Sequence, residues 1–285
     1  MYICLISHLS SLISHLSSLI SHLSSHPWTP LALITGASNG IGLELARLFA
    51  KDGYALVLVA RSLDRLEALA AVLAPTPVTC IRADLSLPGA AETLWQQLEA
   101  KGLHQPHVLV NNAGFGDFGP FADTPLDTYT RMIALNIEAL TTLTHKVLPG
   151  MRARKQGRIL QLASMAAFMP GPLMGVYFAT KAYVLHFSEA LSMELRGTGI
   201  TVTTLCPGGT ASGFQAAARM QESRLVKGKR LPTAAQVAAY GYKALHKGRV
   251  VVVHGWLNRF LVASVRFAPR SINRSIAYQV IRASH

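Results

Sequence analysis

The stretch Thr35-Gly36-Ala37-Ser38-Asn39-Gly40-Ile41-Gly42 follows a short apolar run, Leu31 to Ile34, and opens an apolar-periodic helical segment. Strand, glycine turn and helix start in direct succession constrain the fold more than any other feature of the chain. Glycine has no Cβ, so the backbone can turn sharply and approach a ligand closely. The free N–H groups and positive dipole end of the helix face the same point, which suits a pyrophosphate. Gly36, Ser38, Asn39, Gly40, Ile41 and Gly42 are therefore candidate cofactor-binding residues. The spacing is G-x-x-x-G-x-G rather than G-x-G-x-x-G. Glycine turns also cap helices for structural reasons alone, so the turn needs support from the rest of the chain.

That support begins with alternation. Apolar runs at 31–35, 55–60, 77–82, 107–111, 157–163, 200–206 and 249–254 read as strands. Between and after them lie helical patterns at 40–52, 62–73, 87–101, 125–153, 175–197, 233–247 and 256–282. Short strands without polar alternation belong to a sheet buried on both faces. The expected fold is α/β: a single doubly wound, Rossmann-like parallel sheet of about seven strands with helices on both faces. Three segments are expected: 1–29 as a low-complexity, disordered extension, 30–255 as the Rossmann-like domain, and 256–285 as a basic amphipathic tail packed on or beside it.

The extension carries a seven-residue repeat, SHLSSLI, without charge or helix caps. It is too short and serine-rich for a coiled coil, and lacks the basic start of a signal peptide. His8, His15 and His22 sit seven apart, but no metal site is expected. Cys4, Cys80 and Cys206 are too dispersed for a disulfide framework or metal spacing, which fits reduced thiols in a cytoplasmic protein. No run reaches membrane-spanning length. The net charge of +13 is uneven: residues 1–200 hold 14 Lys and Arg against 13 Asp and Glu, whereas residues 201–285 hold 13 against one, Glu222.

Arg61 lies at the end of the second strand, where a dinucleotide fold meets the adenosine ribose. Val59, Ala60 and Arg61 offer no acid for a ribose 2′-hydroxyl, and a guanidinium can pair with a 2′-phosphate. NADP(H) is thus favoured over NAD(H). An ordinary solvated arginine is the plainer reading. Tyr177 and Lys181 stand four apart on a helix and share a face. Ser164 precedes them just past a strand. A phenol of pKa ~10 is a poor acid–base catalyst near neutrality. A cation ~4 Å away, at an effective dielectric near 20, favours the phenolate by roughly 4 kcal/mol, about three pKa units.

With these motifs in order, the chain resembles the short-chain dehydrogenase/reductase family from about Leu31 to His254. The resemblance rests on TGASNGIG (35–42), Asp84-Leu85, NNAG (111–114), Asn136, Ser164, Y-x-x-x-K (177–181) and Pro207-Gly208. It implies four catalytic positions. Tyr177 is the general acid in reduction and base in oxidation. Lys181 lowers its pKa and holds the nicotinamide ribose. Ser164 binds the substrate oxygen, and Asn136 holds a water leading to Lys181. It also implies that Asp84 and Leu85 meet the adenine, while Asn112, Ala113 and Gly114 line the cofactor. Pro207, Gly208 and Thr210 would sit by the nicotinamide amide. Ser212 stands in place of the family's second hydroxyl. Asp84 could instead cap the following helix.

The loop 165–175 carries Met165, Phe168, Met169, Leu173 and Met174, a soft apolar surface suited to a lipophilic carbonyl or secondary alcohol. Some of these side chains could simply pack beneath the loop. The tail from Trp256 mixes Leu257, Phe260, Leu261, Val265 and Phe267 with Arg259, Arg266, Arg270, Arg274 and Arg282. Such a segment suits an anionic membrane surface, a sheet edge or a subunit interface. No nucleic-acid partner is expected, because a recognition motif is missing. The resemblance further implies a homo-oligomer, dimer or tetramer, through the long helices. Two function classes stay open: an NADPH-dependent oxidoreductase, and a dinucleotide-binding regulatory or scaffold protein with little turnover.

Overall fold

The computed structural model describes residues 29–214, 218, 231–265 and 267–281. The repeat, Cys4, the spaced histidines, Arg266 and Arg282 lie outside the described residues. Residues 31–285 form one unit and 1–30 another, of which only Thr29 and Pro30 are described.

Seven strands make one sheet in the order β3-β2-β1-β4-β5-β6-β7, every neighbour parallel. They are β1 (Leu31–Thr35), β2 (Ala55–Ala60), β3 (Val78–Arg82), β4 (Val108–Asn111), β5 (Gly157–Leu162), β6 (Ile200–Cys206) and β7 (Val251–Val253). Strand side chains alternate between two separate cores. Ala32 and Ile34 of β1, with Leu56 and Leu58 of β2, enter one; Leu33, Val57 and Val59 enter the other. Both faces are dry, which is why the sequence shows apolar runs rather than alternation.

Helix α1 (Gly40–Lys51) brings Leu45, Ala46 and Phe49 to the first core, spaced to fall on one stripe. There they meet Val237, Ala238 and Leu245 of α7 (Ala234–His246). Helix α2 (Leu63–Val72) adds Leu66 and Leu69 to the same side. The second core takes Leu94 and Leu98 of α3 (Ala90–Ala100), Leu143 and Val147 of α5 (Leu140–Ala153), and Leu191 of α6 (Gly175–Glu194). Helix α7 starts in a reciprocal cap: Gln236 N–H donates to Thr233 Oγ1 at 3.2 Å and Thr233 N–H to Gln236 Oε1 at 3.0 Å.

Of the two long helices expected, one is continuous and the other is not. The segment 125–153 runs helically without a break as α4 (Leu126–Ile133), a π turn over Ala134–Ala139, and α5. Such wide turns frequently mark functional positions, and this one holds Asn136. The tail divides into α8 (Trp256–Val265) and α9 (Arg270–Ile281). Pro269 is the physical reason: it lacks an N–H and its ring collides with the carbonyl four residues back. Asn273 then secures the corner, donating through Nδ2 to Val265 O at 3.0 Å and Ala268 O at 3.2 Å.

The sheet order reverses direction between β1 and β4. In open α/β sheets, ligands bind outside the carboxyl ends of the strands at such a switch point. The glycine turn after β1 and Asn112-Ala113-Gly114 after β4 flank that crevice.

Candidate active site

The crevice floor is held by one hydroxyl. Thr35 Oγ1, 2% exposed as a residue, accepts from the N–H groups of Asn112 and Ala113 at 3.1 Å each and donates to Val110 O at 3.3 Å. Asn112 Nδ2 reaches back to the carbonyls of Thr35 at 2.9 Å and Gly36 at 3.0 Å. The two loops are thereby locked together, and Asn112 acts as their brace.

Gly36 and Gly40 have φ of +66° and +55°, a region that disfavours side chains. A Cβ on Gly42 would strike Gly36 O and Asn112 Nδ2, so helix α1 can leave the turn this closely only with glycine there. Asn39 is the N-cap in an extended conformation, and its side chain makes no capping bond. The first N–H groups of α1 thus stay directed at the crevice mouth, with Ser38 and Ile41 half-buried beside them. This cradle fits the phosphates of a dinucleotide. Arg61 is exposed at the end of β2, on the same side.

Asp84 is not a helix cap: α3 begins at Ala90, with Gly89 as its N-cap. Instead, Asp84 Oδ1 accepts from Ser86 N–H at 3.1 Å and Ser86 Oγ at 2.6 Å, while Oδ2 pairs with Arg131 Nη2 of α4 at 2.9 Å. Burial acts against ionisation, but these bonds and the charges of Arg131 and Arg61 outweigh it and hold the carboxyl below its usual range. The Leu85 side chain belongs to the second core, so any base contact it makes runs through its main chain. Arg131 was not a sequence candidate; its only sequence signal is its place five residues before Asn136.

Asn136 is 1% exposed and spans two elements. Its Nδ2 donates to Phe115 O and Thr180 Oγ1, both at 3.0 Å, and its Oδ1 accepts from Phe115 N–H at 3.2 Å. It therefore splices the loop after β4 to helix α6. Gly114 fits between: a Cβ there would lie 2.9 Å from Asn136 Oδ1 and 3.3 Å from Lys181 Nζ.

Tyr177 and Lys181 lie one turn apart on α6, both buried. Lys181 Nζ donates to Leu162 O, at the end of β5, at 2.8 Å, and lies 5.8 Å from the centre of the Tyr177 ring. The expected lowering of the phenol pKa by this ammonium is corrected here. Burial pushes Tyr177 up to about 12, opposed by the Ser164 hydroxyl. Burial likewise pushes Lys181 down to about 8. Both shifts have one main cause: burial disfavours the charged form of each group. Ser164, as the cap of a short 3-10 turn, accepts from Ala166 N–H at 3.1 Å. The Cys206 thiol beside Lys181 is kept neutral by burial, its pKa pushed up to about 12.

Pro207 O accepts from Met165 N–H at 2.9 Å, tying the loop after β6 to the Ser164 loop. Gly208 is packed tightly: a Cβ would come 2.7 Å from Asn258 Nδ2 and 3.1 Å from Met165 Sδ. Thr210, 5% exposed, donates to Gly208 O at 3.0 Å. Ser212 stands over the glycine turn, 3.3 Å from where a Gly40 Cβ would lie.

The apolar loop splits as its dual reading allowed. Met174 is core, and Met165 and Phe168 pack toward α8, in the cluster holding Val262 and Cys206. Met169 and Leu173 join Phe214, Phe115 and Phe118 around Tyr177. A Cβ on Gly116 would lie 2.9 Å from Tyr177 Cδ2 and 3.1 Å from Phe214 Cζ, so that glycine seats the Tyr177 ring. Ala277 and Ile281 of α9 belong to the same cluster. Sequence inspection placed none of Gly116, Thr180, Phe214 or Ile281 at the site.

Comparison with known proteins follows the same lines. The family model described as short chain dehydrogenase matches residues 30–223. A very-long-chain 3-oxoacyl-CoA reductase of Laccaria bicolor is 36% identical over 178 residues, 61% of this chain and 53% of that protein. A 17-beta-hydroxysteroid dehydrogenase type 3 of Mus musculus is 35% identical over 182 residues, 62% of this chain and 58% of that protein. The matched stretch thus spans little more than half the length of these curated relatives. A short-chain dehydrogenase from Sphingobium yanoikuyae, solved in complex with NADPH, superposes with a TM-score of 0.73 at 31% identity, over 84% of this chain and 94% of that one.

Proposed function

The chain belongs to the short-chain dehydrogenase/reductase family, and on that premise we propose that it is an NADPH-dependent oxidoreductase. Its substrates would be lipophilic ketones or aldehydes and the matching secondary alcohols. The observation that carries this reading is the set of Ser164, Tyr177, Lys181 and Asn136 held at the carboxyl ends of β4, β5 and β6, with Met169, Leu173 and Phe214 packed in the apolar cluster of the Tyr177 ring. A protein kept only for binding has no need of a buried lysine and phenol together, since burying ionisable groups costs stability.

Gly36, Ser38, Asn39, Gly40, Ile41 and Gly42 hold the pyrophosphate, and Arg61 the 2′-phosphate. Asp84 and Leu85 bound the adenine. Asn112, Ala113, Gly114, Pro207, Gly208 and Thr210 line the path to the nicotinamide. When bound, the nicotinamide supplies the hydride in its reduced form and a positive charge in its oxidised form. Ser164 donates to the substrate oxygen. Tyr177 gives its phenolic proton to that oxygen in reduction and recovers it in oxidation. Lys181, fixed on Leu162 O, holds the ribose hydroxyls and stabilises the developing phenolate. Asn136 Oδ1 retains a lone pair for a water leading toward Lys181.

The test is NADPH oxidation with a panel of apolar ketones and aldehydes. Tyr177→Phe should lower kcat about a thousandfold, within the range for a positioned general acid, while NADPH still binds. Binding without turnover in the unmodified protein would favour a regulatory or scaffold role. Arg61→Asp should lower the NADPH over NADH ratio of kcat/KM about thirtyfold, or about 2 kcal/mol, the scale of a hydrogen bond to a charged group. An unchanged ratio would remove Arg61 from the assignment.

A further inference from the structure

Helices α8 and α9 turn only a few side chains inward. Val262 of α8 enters the cluster containing Cys206 and Val253, and Ala277 and Ile281 of α9 enter the Tyr177 cluster. Their outer faces are unusually apolar. Trp256 is 76% exposed, Phe260 66% and Phe267, in the corner between the helices, 88%; Leu257, Leu261, Ile272, Ile276 and Tyr278 are exposed as well. Trp256, Leu257, Phe260, Leu261 and Ser264 recur at helical spacing and line one stripe. A patch of this kind on a water-facing surface marks an interaction site.

Its charge identifies the partner. From Pro232 to His285 the chain has eight Lys and Arg and neither Asp nor Glu. Arg249, Arg259, Arg270 and Arg274 are exposed around the apolar stripe. Beside it, a groove of about 400 Å³ runs between Tyr240 of α7, strand β7 and α8. Arg249 and Arg259 stand in its walls with Val251, Val262 and Phe267. Aromatic and aliphatic side chains in a ring of guanidiniums match the boundary between acyl chains and anionic headgroups. A second copy of the chain fits badly. An isologous contact would bring two arginine sets together with no carboxylate between them. No helix among the described residues is long and apolar enough to cross a membrane, so attachment through this face is in-plane.

We propose that the outer face of α8 and α9 docks on the surface of an anionic phospholipid bilayer. The Arg249–Arg259 groove takes a lipid headgroup and the first part of its chain. Because α9 turns its inner side to the Tyr177 cluster, docking sets the wall of the catalytic pocket against the bilayer. Docking itself needs no turnover, so it stands apart from the catalytic assignment.

The full chain is mixed with phosphatidylcholine vesicles, with and without about one-third phosphatidylglycerol, and sedimented. Binding should be at least tenfold stronger to the anionic vesicles and should weaken in high salt. Arg270→Gln with Arg274→Gln should lower partitioning about thirtyfold, since each basic residue at such a surface contributes about fivefold. Phe260→Ser with Phe267→Ser should abolish it, with the melting temperature and NADPH binding unchanged. The lipid-induced blue shift of tryptophan emission should disappear in Trp256→Phe, which still sediments. Tyr177→Phe should bind vesicles like the unmodified chain. Equal affinity for neutral and anionic vesicles, or none for either, overturns the proposal. So does lipid-free self-association lost in the Phe260/Phe267 variant, which would assign the face to a second copy.

Discussion

At the scale of single residues, the site shows how burial reorders expectations built on charge. A cation four positions from a phenol suggests an acidified tyrosine, yet Tyr177 is pushed up to about 12 and Lys181 down to about 8 by the same dry surroundings. Two opposite pH trends follow. The proposed reduction needs the Lys181 ammonium charged, so its rate should fall as pH rises through about 8. Stability should move the other way. A lysine with a depressed folded pKa is penalised while charged, and the penalty fades as pH climbs from about 8 toward the ordinary 10.5. Lys181→Arg, which keeps its charge, should flatten both profiles, measured as kcat/KM and as melting temperature against pH. A rate limb at pH 8 that survives the substitution would belong to another group.

At the scale of elements, ends and interruptions do the positioning. The π turn at Ala134–Ala139 carries Asn136 to Phe115 and Thr180, joining two segments far apart in sequence. Pro269 and Asn273 bend the tail so that α9 returns over the Tyr177 cluster. The corner rests on two side-chain hydrogen bonds, each contributing about 1 kcal/mol. Asn273→Ala should therefore raise amide exchange across α9 by at least fivefold and raise KM more than it lowers kcat. The melting temperature should hardly move, because the sheet does not depend on the corner. An unchanged exchange rate would show that apolar packing alone holds the helix.

At the scale of the whole molecule, one sheet with two dry faces leaves a few apolar surfaces outside. One belongs to α8 and α9. Another follows α4 and α6, where Ile133, Tyr183 and Met193 are exposed and Tyr183 stacks on Phe187 with centroids 5.7 Å apart. The resemblance implies a homo-oligomer through the long helices, and this second surface is where that expectation is tested. Tyr183→Asp should lower the molar mass measured by light scattering to that of a single chain, at unchanged circular dichroism. A monomer in the unmodified protein would retire the idea. Substitutions at Phe260 and Phe267 should leave the oligomer intact, which separates the two surfaces.

The strand runs, the glycine turn and the Tyr177–Lys181 spacing are legible in the sequence itself, because they are local. Period-two burial, the φ of a glycine and the reach of one helical turn are written within a few residues of chain. Gly116 against the Tyr177 ring, Arg131 on Asp84, the Leu162 carbonyl under Lys181 and Ile281 in the Tyr177 cluster are not. Each joins segments at least 19 residues apart, as with Lys181 and Leu162, and only packing of the sheet and its helices brings them together. The pKa values belong to that second group too, since they depend on how much water the finished fold excludes.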